Sequence, residues 1–208
     1  MHLGSSALVP LLAVILALAL LGWCLYAKAL RVDRLHRQVL GARATLEAQI
    51  VHRAQAALDL ASCGALDPAS AMLLSQAARD ALTSEAPVVD DGLDPAHRQI
   101  STGGQDRARA QVESDLSRVL RTVLDAETRS ELQQDPVAAS SLERLDRACY
   151  RLVLARRFHD THVSETLRIR SDWDVRLLHL AGHAPSPGTF DVDDETSPTS
   201  IPVPEEKL

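Results

Sequence analysis

The chain has 208 residues, of which 46% are hydrophobic but only 3% aromatic, and its formal net charge is −6. The charge balance excludes the basic excess typical of nucleic-acid-binding proteins, and the three cysteines match no zinc or redox spacing. A core of Leu, Ala and Val favours close-packed helices, because strands are enriched in β-branched and aromatic residues. The composition therefore predicts an all-α protein.

The first predicted element is a transmembrane helix over residues 7–26, which contain no charged side chain. Twenty helical residues span about 30 Å, the thickness of the hydrocarbon core of a bilayer. Trp23 and Tyr26 end the segment, where aromatic rings favour the membrane interface. A cleaved signal peptide is the alternative, but no Lys or Arg precedes the apolar run, which is also long for a signal peptide.

Cations follow the apolar segment and none precedes it. Lys28, Arg31 and Arg34 come directly after it, whereas residues 1–6 contain no Lys or Arg. The positive-inside rule therefore predicts a single-pass protein of the cell membrane, with a short extracytoplasmic stub at residues 1–6 and the bulk of the chain in the cytoplasm. These cations and the two aromatic residues are the predicted contacts with the lipid bilayer. A reversed or cleaved segment would instead give a secreted or surface-displayed bundle.

Residues 27–183 are predicted to form an elongated antiparallel bundle of about four helices. The first helix continues out of the membrane segment with apolar residues at three- and four-residue steps, and Gly64 is its expected end. Asp67-Pro68 starts a second, shorter helix, because Asp caps free N–H groups and Pro fits the first helical position. The residues expected to face inward on it are Leu73, Ala77, Ala81 and Leu82. Residues 86–104 break every period and predict a surface loop, with one helical turn after Asp94-Pro95.

The third and fourth helices carry the clearest apolar stripes. The third follows Gly104, and its charged residues are expected mainly on outer surfaces, including Arg109 and Glu113. The fourth begins at Asp135-Pro136 and is predicted to reach Gly182, a length of about 70 Å at 1.5 Å per residue. Its stripe approximates a 3.5-residue repeat and includes these residues: Leu142, Leu145, Cys149, Leu152, His159, Val163, Thr166, Trp173, Leu177 and Leu180.

Residues 184–208 are rich in Pro, Ser and acidic side chains. Such a composition cannot bury enough apolar surface to order itself, so a disordered acidic tail is predicted. Phe190 is the one residue of this tail that could dock against the rest of the protein.

Three residues of the fourth helix suggest a metal site. His159, His162 and Glu165 are three residues apart in turn, which places them near one helix face, and imidazole and carboxylate both bind zinc. Only these ligands are local, however, and no H-E-x-x-H spacing exists. Packing is the favoured reading, with His159 on the apolar stripe, and a metal-binding or enzymatic role is the alternative.

The order of the segments resembles the LemA family of bacterial membrane-anchored helical proteins. Residues 154–158, Leu-Ala-Arg-Arg-Phe, and residues 177–185, Leu-Leu-His-Leu-Ala-Gly-His-Ala-Pro, carry the resemblance; the second run is similar to actinobacterial members. Family members typically have Tyr-Asn-Asp closely after Ala-Arg-Arg, and this chain has His159-Asp160-Thr161 at those positions. The resemblance implies a helical bundle at a membrane, with no established activity and no catalytic residues.

The sequence offers no nucleotide-binding, hydrolase or other catalytic motif. We therefore expect a non-enzymatic scaffold or adaptor without a cofactor, which presents its bundle to a protein partner or associates with itself. Arg156 and Arg168, on the outer face of the fourth helix, are the candidate partner surface.

Overall fold

A computed structural model describes residues 5–93, 108–177 and 185–195 of the chain. Within these residues the structure consists of helices, turns, bends and irregular chain, with no strand, which confirms the all-α prediction. The helices are α1 (Ser5–Ser62), α2 (Pro68–Thr83), α3 (Arg109–Val123), α4 (Ala126–Leu132), α5 (Pro136–Arg170) and α6 (Trp173–Leu177).

Helix α1 joins two different environments without a break. From Leu11 it is long and apolar enough to cross a membrane, and the side chains of residues 11–24 are exposed on the protein. From Val32 onward every third or fourth residue is buried. The prediction that the first helix runs straight from the apolar segment into the bundle is therefore confirmed. The helix stops just before Gly64, whose φ of 79° favours glycine.

Two of the predicted helix starts have the expected caps. The Asp67 carboxylate accepts hydrogen bonds from the backbone N–H groups of Ala69 and Ser70 at the start of α2. The Asp135 carboxylate accepts one from the N–H of Val137 at the start of α5. These starts depend only on neighbouring residues, which is why the sequence predicts them.

Helices α2, α3 and α4 differ from the prediction in three respects. On α2, the predicted inward residue Leu73 is 48% exposed and Leu74 is buried instead. On α3, Arg109 and Glu113 are buried, whereas they were expected on outer surfaces. The short helix α4 was not predicted; its N-cap is Asp125, which accepts a hydrogen bond from the N–H of Thr128.

Helix α5 ends at Arg170, so the prediction of one helix to Gly182 is wrong. The Ser171 hydroxyl donates to the Arg168 carbonyl, and the chain turns at Ser171 and Asp172 before α6. Ser and Asp favour helix ends because their side chains compete for backbone hydrogen bonds. At 35 residues, α5 is about 52 Å long. Trp173 and Leu177, expected on the buried stripe, are exposed.

Most of the buried apolar residues form two clusters along α1 and α5, which run antiparallel. The distal core, farther from the apolar segment, is built from α1, α2, α3, α5 and the segment around α4. The proximal core lies nearer the apolar segment and has fewer helices around it. It consists of these buried residues: Leu46, Ile50, Val88, Leu152, Ala155, Phe190 and Val192.

Residues 185–195 differ from the predicted disordered tail. They run over the bundle without regular secondary structure, with Phe190 only 1% exposed and Val192 also buried. Composition indicated disorder because this segment cannot build a core by itself, but α1 and α5 supply the apolar surface it needs. The rest of the tail, residues 196–208, lies outside the described residues, as do residues 94–107 and 178–184.

Candidate functional site

The predicted membrane-interface residues all lie on α1. Trp23 and Tyr26 are 71% and 61% exposed, so their rings project away from the protein. Lys28, Arg31 and Arg34 follow within two and a half turns and are exposed. The helix therefore presents aromatic rings and then cations at the end of its apolar stretch.

A cleft of about 480 Å³ opens beside this stretch, between α1 and the last turns of α5. Its lining is apolar toward the apolar segment and polar beyond it. The lining residues are Ala27, Leu30, Arg31, Arg34, Leu35, Gln38, His162 and Glu165. The cleft thus combines two predicted membrane-interface arginines with two of the three residues considered for a metal site.

The charges in this cleft are not neutralised by one another. The structure shows no ion pair within 4.0 Å for Arg31, Arg34 or Glu165, among the residues it describes. His162 contributes an imidazole whose Nδ1 is enclosed and has no hydrogen-bond partner there. An open cleft with two unpaired guanidinium groups at one end is a site suited to an anion.

His159 does not join His162 and Glu165. It is fully buried on the inner face of α5, and its Nδ1 lies 3.3 Å from Oδ1 of Asp160. Burial lowers the pKa of His159, despite the neighbouring Asp160, and favours the neutral imidazole. In the described part of the chain no three His, Cys, Asp or Glu side chains are grouped closely enough to hold a metal ion.

The two candidate partner-surface residues differ in their surroundings. Arg156 is only partly exposed, and its Nε lies 2.7 Å from the Asp194 carboxylate in the C-terminal segment. A second carboxylate, that of Asp160, lies 3.7 Å from the same guanidinium. Arg168 is exposed in the last turn of α5. Arg156 therefore holds part of the chain itself, and only Arg168 faces solvent.

The C-terminal segment is held at several further points. Asp91 receives two hydrogen bonds from the buried Arg43 guanidinium, one of 3.0 Å, and a third from the backbone N–H of Gly188. Burial would raise the pKa of Asp91, but these donors outweigh it and hold the pKa below its ordinary value. Arg121 pairs with Asp193 at 2.7 Å on the other side of the segment. Sequence reasoning missed these contacts because their partners are distant in the chain.

A second buried charged group links α1 to α3. Arg53 is fully buried and donates to the Glu113 carboxylate at 2.7 Å and to the Ser117 hydroxyl at 2.8 Å. Arg109 lies 3.1 Å from the other oxygen of Glu113 and donates to the Ser84 carbonyl. The group is enclosed by the bundle, so it connects helices and presents no surface to a ligand.

The outward face of α5 has an unusual composition. From Arg147 to Phe158, every exposed residue is either an arginine or a large apolar residue. Tyr150, Leu154 and Phe158 are spaced by four residues and are 63%, 42% and 57% exposed. The three arginines between and beside them are Arg147, Arg151 and Arg157. We call these six residues the α5 outer face.

The α5 outer face was not identified from the sequence, although the signal was present. Its apolar residues follow the same four-residue step as the core stripe but lie on the opposite side of the helix. The chain has only six aromatic residues. Phe190 alone among them is buried, whereas Tyr150, Phe158 and Trp173 are exposed on the bundle.

Comparison with known proteins gives no relative. The chain matches no family model, no curated protein and no solved structure.

Proposed function

We propose that the protein is a single-pass, membrane-anchored adaptor without enzymatic activity, which docks a protein partner on the α5 outer face. The observation that carries the proposal is that this face combines three exposed large apolar side chains with three arginines. Of the arginines, only Arg147 has an ion pair in the described structure, with the exposed Glu143 at 3.2 Å. Aromatic residues and arginine are the residue types most enriched in interface hot spots.

The anchor is the apolar stretch of α1. Its side chains are exposed on the protein, as a lipid-facing helix requires, and a continuous helix transmits its position rigidly to the bundle. The cations Lys28, Arg31 and Arg34 favour a cytoplasmic bundle. A reporter fused after Leu208 tests the orientation: we expect activity for a reporter that works in the cytoplasm and none for one that needs export.

The chemistry of the face indicates the type of partner. Apolar side chains at a four-residue spacing fit the apolar side of an amphipathic helix, and the flanking arginines favour acidic residues beside it. A second copy of the same face is a poor partner, because association would bring Arg151 and Arg157 against like charges. We therefore infer an acidic amphipathic helix of another protein as the occupant.

The resemblance to the LemA family accords with this proposal but adds no activity. Leu154, Arg157 and Phe158, on the α5 outer face, belong to the run that carries the resemblance. We propose membership of that family on the strength of these residues and the order of the segments.

Site-specific photo-cross-linking in intact cells tests the docking face. The full-length protein would carry a photoreactive residue at Leu154, or at Met72 as a control, since Met72 is an apolar residue of α2 that is 74% exposed. We expect an adduct with another protein at Leu154 that is absent at Met72. Mass spectrometry should map it to an acidic helical segment.

Charge reversal supplies the decisive comparison. The double change Arg151→Glu and Arg157→Glu should abolish the Leu154 adduct, because it would place carboxylates against an acidic partner. Reversal of Arg118, an exposed arginine on α3, should leave it unchanged. The same adducts at both cross-linking positions, or adducts only between copies of this chain, would refute the proposal.

A further inference from the structure

We propose that the cleft between α1 and α5 binds the headgroup of a phospholipid whose phosphate carries a polyol. The inference depends on the anchor in the proposed function but not on the protein partner. It assigns a ligand to a cleft whose charged groups have no ion-pair partner in the described structure.

The position of the cleft is the first argument. Arg31 and Arg34 lie five and eight residues beyond Tyr26, or about 7 and 12 Å along the helix axis. With Tyr26 at the interface, their flexible side chains reach the depth of lipid phosphates. Ala27 and Leu30 form the part of the cleft nearest the apolar segment, where the glycerol and the upper acyl chains of a lipid would lie.

The phosphate is the second argument. Guanidinium groups bind phosphate oxygens through paired N–H donors, and basic pockets beside transmembrane helices on the cytoplasmic side are a known form of headgroup site. Arg37, by contrast, has its charge occupied by Asp33 on α1. The cleft arginines therefore differ from Arg37, since the described structure shows no ion pair for either of them.

The outer end of the cleft, farther from the apolar segment, would bind the group esterified to the phosphate. Arg170 at the end of α5 lies 3.1 Å from the His36 imidazole. Since α5 runs antiparallel to α1, Glu165 lies farther than His36 from the apolar segment. Gln38, His162 and Glu165 then line the cleft beyond the arginines. Amide, imidazole and carboxylate groups all bind hydroxyl groups, whereas the carboxylate repels a second anion.

The size of the cleft agrees with such a ligand. About 480 Å³ lies within the range of small-molecule sites and exceeds what a bare phosphate would fill. A phosphate esterified to an inositol or glycerol would place hydroxyl groups at the outer end. Phosphatidic acid has no polyol on its phosphate, and phosphatidylserine carries a carboxylate as a second anion.

The test uses the full-length protein in phosphatidylcholine nanodiscs that contain equal small fractions of phosphatidylinositol, phosphatidylglycerol and phosphatidic acid. Native mass spectrometry would count the lipids retained by the released protein. We expect retention in the order inositol, glycerol, phosphatidic acid, with at least a fivefold preference for phosphatidylinositol over phosphatidic acid. Equal retention of the three lipids would overturn the proposal.

Two double variants distinguish the cleft from diffuse attraction by the surrounding cations. Arg31→Gln with Arg34→Gln should reduce retention of all three anionic lipids at least fivefold. Lys28→Gln with Arg37→Gln removes the same charge near the membrane but outside the cleft, and should change retention less than twofold. Similar losses in both would show that only general electrostatic attraction operates and would overturn the proposal.

Two further arms test hydroxyl recognition and the source of the headgroup. Gln38→Ala with Glu165→Ala should remove the preference among the lipids, so that all three are retained equally; an unchanged preference for phosphatidylinositol would contradict the assignment. Free glycerophosphoinositol should fail to displace the lipid, since it lacks acyl chains beside Leu30, and displacement by it would indicate a soluble ligand instead.

Resistance to alkaline extraction separates this inference from the proposed function. A protein that stays in the membrane but shows no lipid preference loses only the cleft assignment. A protein that alkali extracts has no membrane anchor, and both proposals then fail.

Discussion

The distal and proximal cores differ in what closes them around α1 and α5. The distal core is closed by α2, α3 and the segment around α4, as expected for a helical bundle. The proximal core is closed by chain without regular secondary structure: Val88 comes from the loop after α2, and Phe190 and Val192 come from the C-terminal segment. Two helices alone leave an apolar seam exposed, so a segment without regular structure can stabilise a bundle where helices are missing.

The two regions also differ in whether the contacts that fix their segments are local in the sequence or join distant residues. In the distal region, N-cap residues next to the helix starts fix where α2 and α5 begin. In the proximal region, contacts between distant residues hold the C-terminal segment, such as Asp91 with Gly188 and Arg156 with Asp194. Four substitutions test this difference, and each isolates one kind of contact.

The largest expected effect concerns the boundary between the two cores, where Arg53 and Glu113 are both fully buried. Glu113→Ala would leave Arg53 and Arg109 without their carboxylate, and loss of one partner of a buried pair costs about 3–5 kcal/mol. We expect a loss of that size in the free energy of unfolding, measured by urea denaturation of the detergent-solubilised protein.

A charge-neutral double change is the control for Glu113→Ala. Arg53→Met together with Glu113→Leu removes both members of the pair and fills the space with apolar groups, which is often close to neutral. The double variant should therefore be more stable than Glu113→Ala alone. A single variant that loses less than about 1 kcal/mol would indicate that the pair is not buried in solution.

The next effect tests whether the C-terminal segment closes the proximal core. Phe190→Ala removes the largest apolar side chain of that segment, and truncation of a buried Phe costs about 3 kcal/mol or more. We expect a loss of about 3 kcal/mol in urea denaturation. Phe158→Ala is the matched control, because that ring is 57% exposed and such changes stay within about 0.5 kcal/mol. Equal effects would refute docking of the segment.

The buried positions of Glu113 and Phe190 also show where prediction from the sequence ends. The helix starts at Asp67 and Asp135 and the buried position of His159 follow from local signals and periodicity, and the structure bears them out. Burial of Glu113 depends on Arg53, sixty residues away, and burial of Phe190 depends on a seam that exists only after folding. Periodicity on one helix cannot identify such partners.

In the candidate site, too, local features could be predicted from the sequence and contacts between distant residues could not. The sequence identified Arg31 and Arg34, because cations that follow an apolar run are visible locally. It could not show that Arg31 and His162 line one cleft, since α5 must first return alongside α1. It also assigned Arg156 to a partner surface, although Asp194 on the returning segment occupies it.

The third prediction concerns Asp91, whose carboxylate connects Arg43 to the C-terminal segment. Asp91→Asn keeps the shape but removes the charge, and should cost about 2 kcal/mol near pH 7, the range for a hydrogen bond to a charged group. The pKa of Asp91 is lowered in the folded protein. Its stabilisation is therefore complete above the unfolded pKa of about 4 and is lost as the pH falls through the folded value.

Urea midpoints from pH 7 to pH 3 check this dependence. The difference in stability between the unmodified protein and Asp91→Asn should be constant above about pH 5 and should shrink below pH 4. Asp115→Asn is the control, since Asp115 is paired with Arg118 on the exposed side of α3. A difference that grows toward acid pH would contradict the assigned direction.

The smallest expected effect tests whether Arg156 holds the C-terminal segment or contacts a protein partner. Arg156→Gln breaks a partly exposed ion pair with Asp194 and should cost about 0.5–1 kcal/mol, because solvent screens such pairs. Arg168→Gln removes an exposed charge and should change stability by less than about 0.3 kcal/mol. If Arg156→Gln instead leaves stability unchanged while it abolishes the Leu154 cross-link, Arg156 serves a partner rather than the C-terminal segment. The expected result, a loss of stability with the cross-link retained, would restrict the docking surface to the α5 outer face.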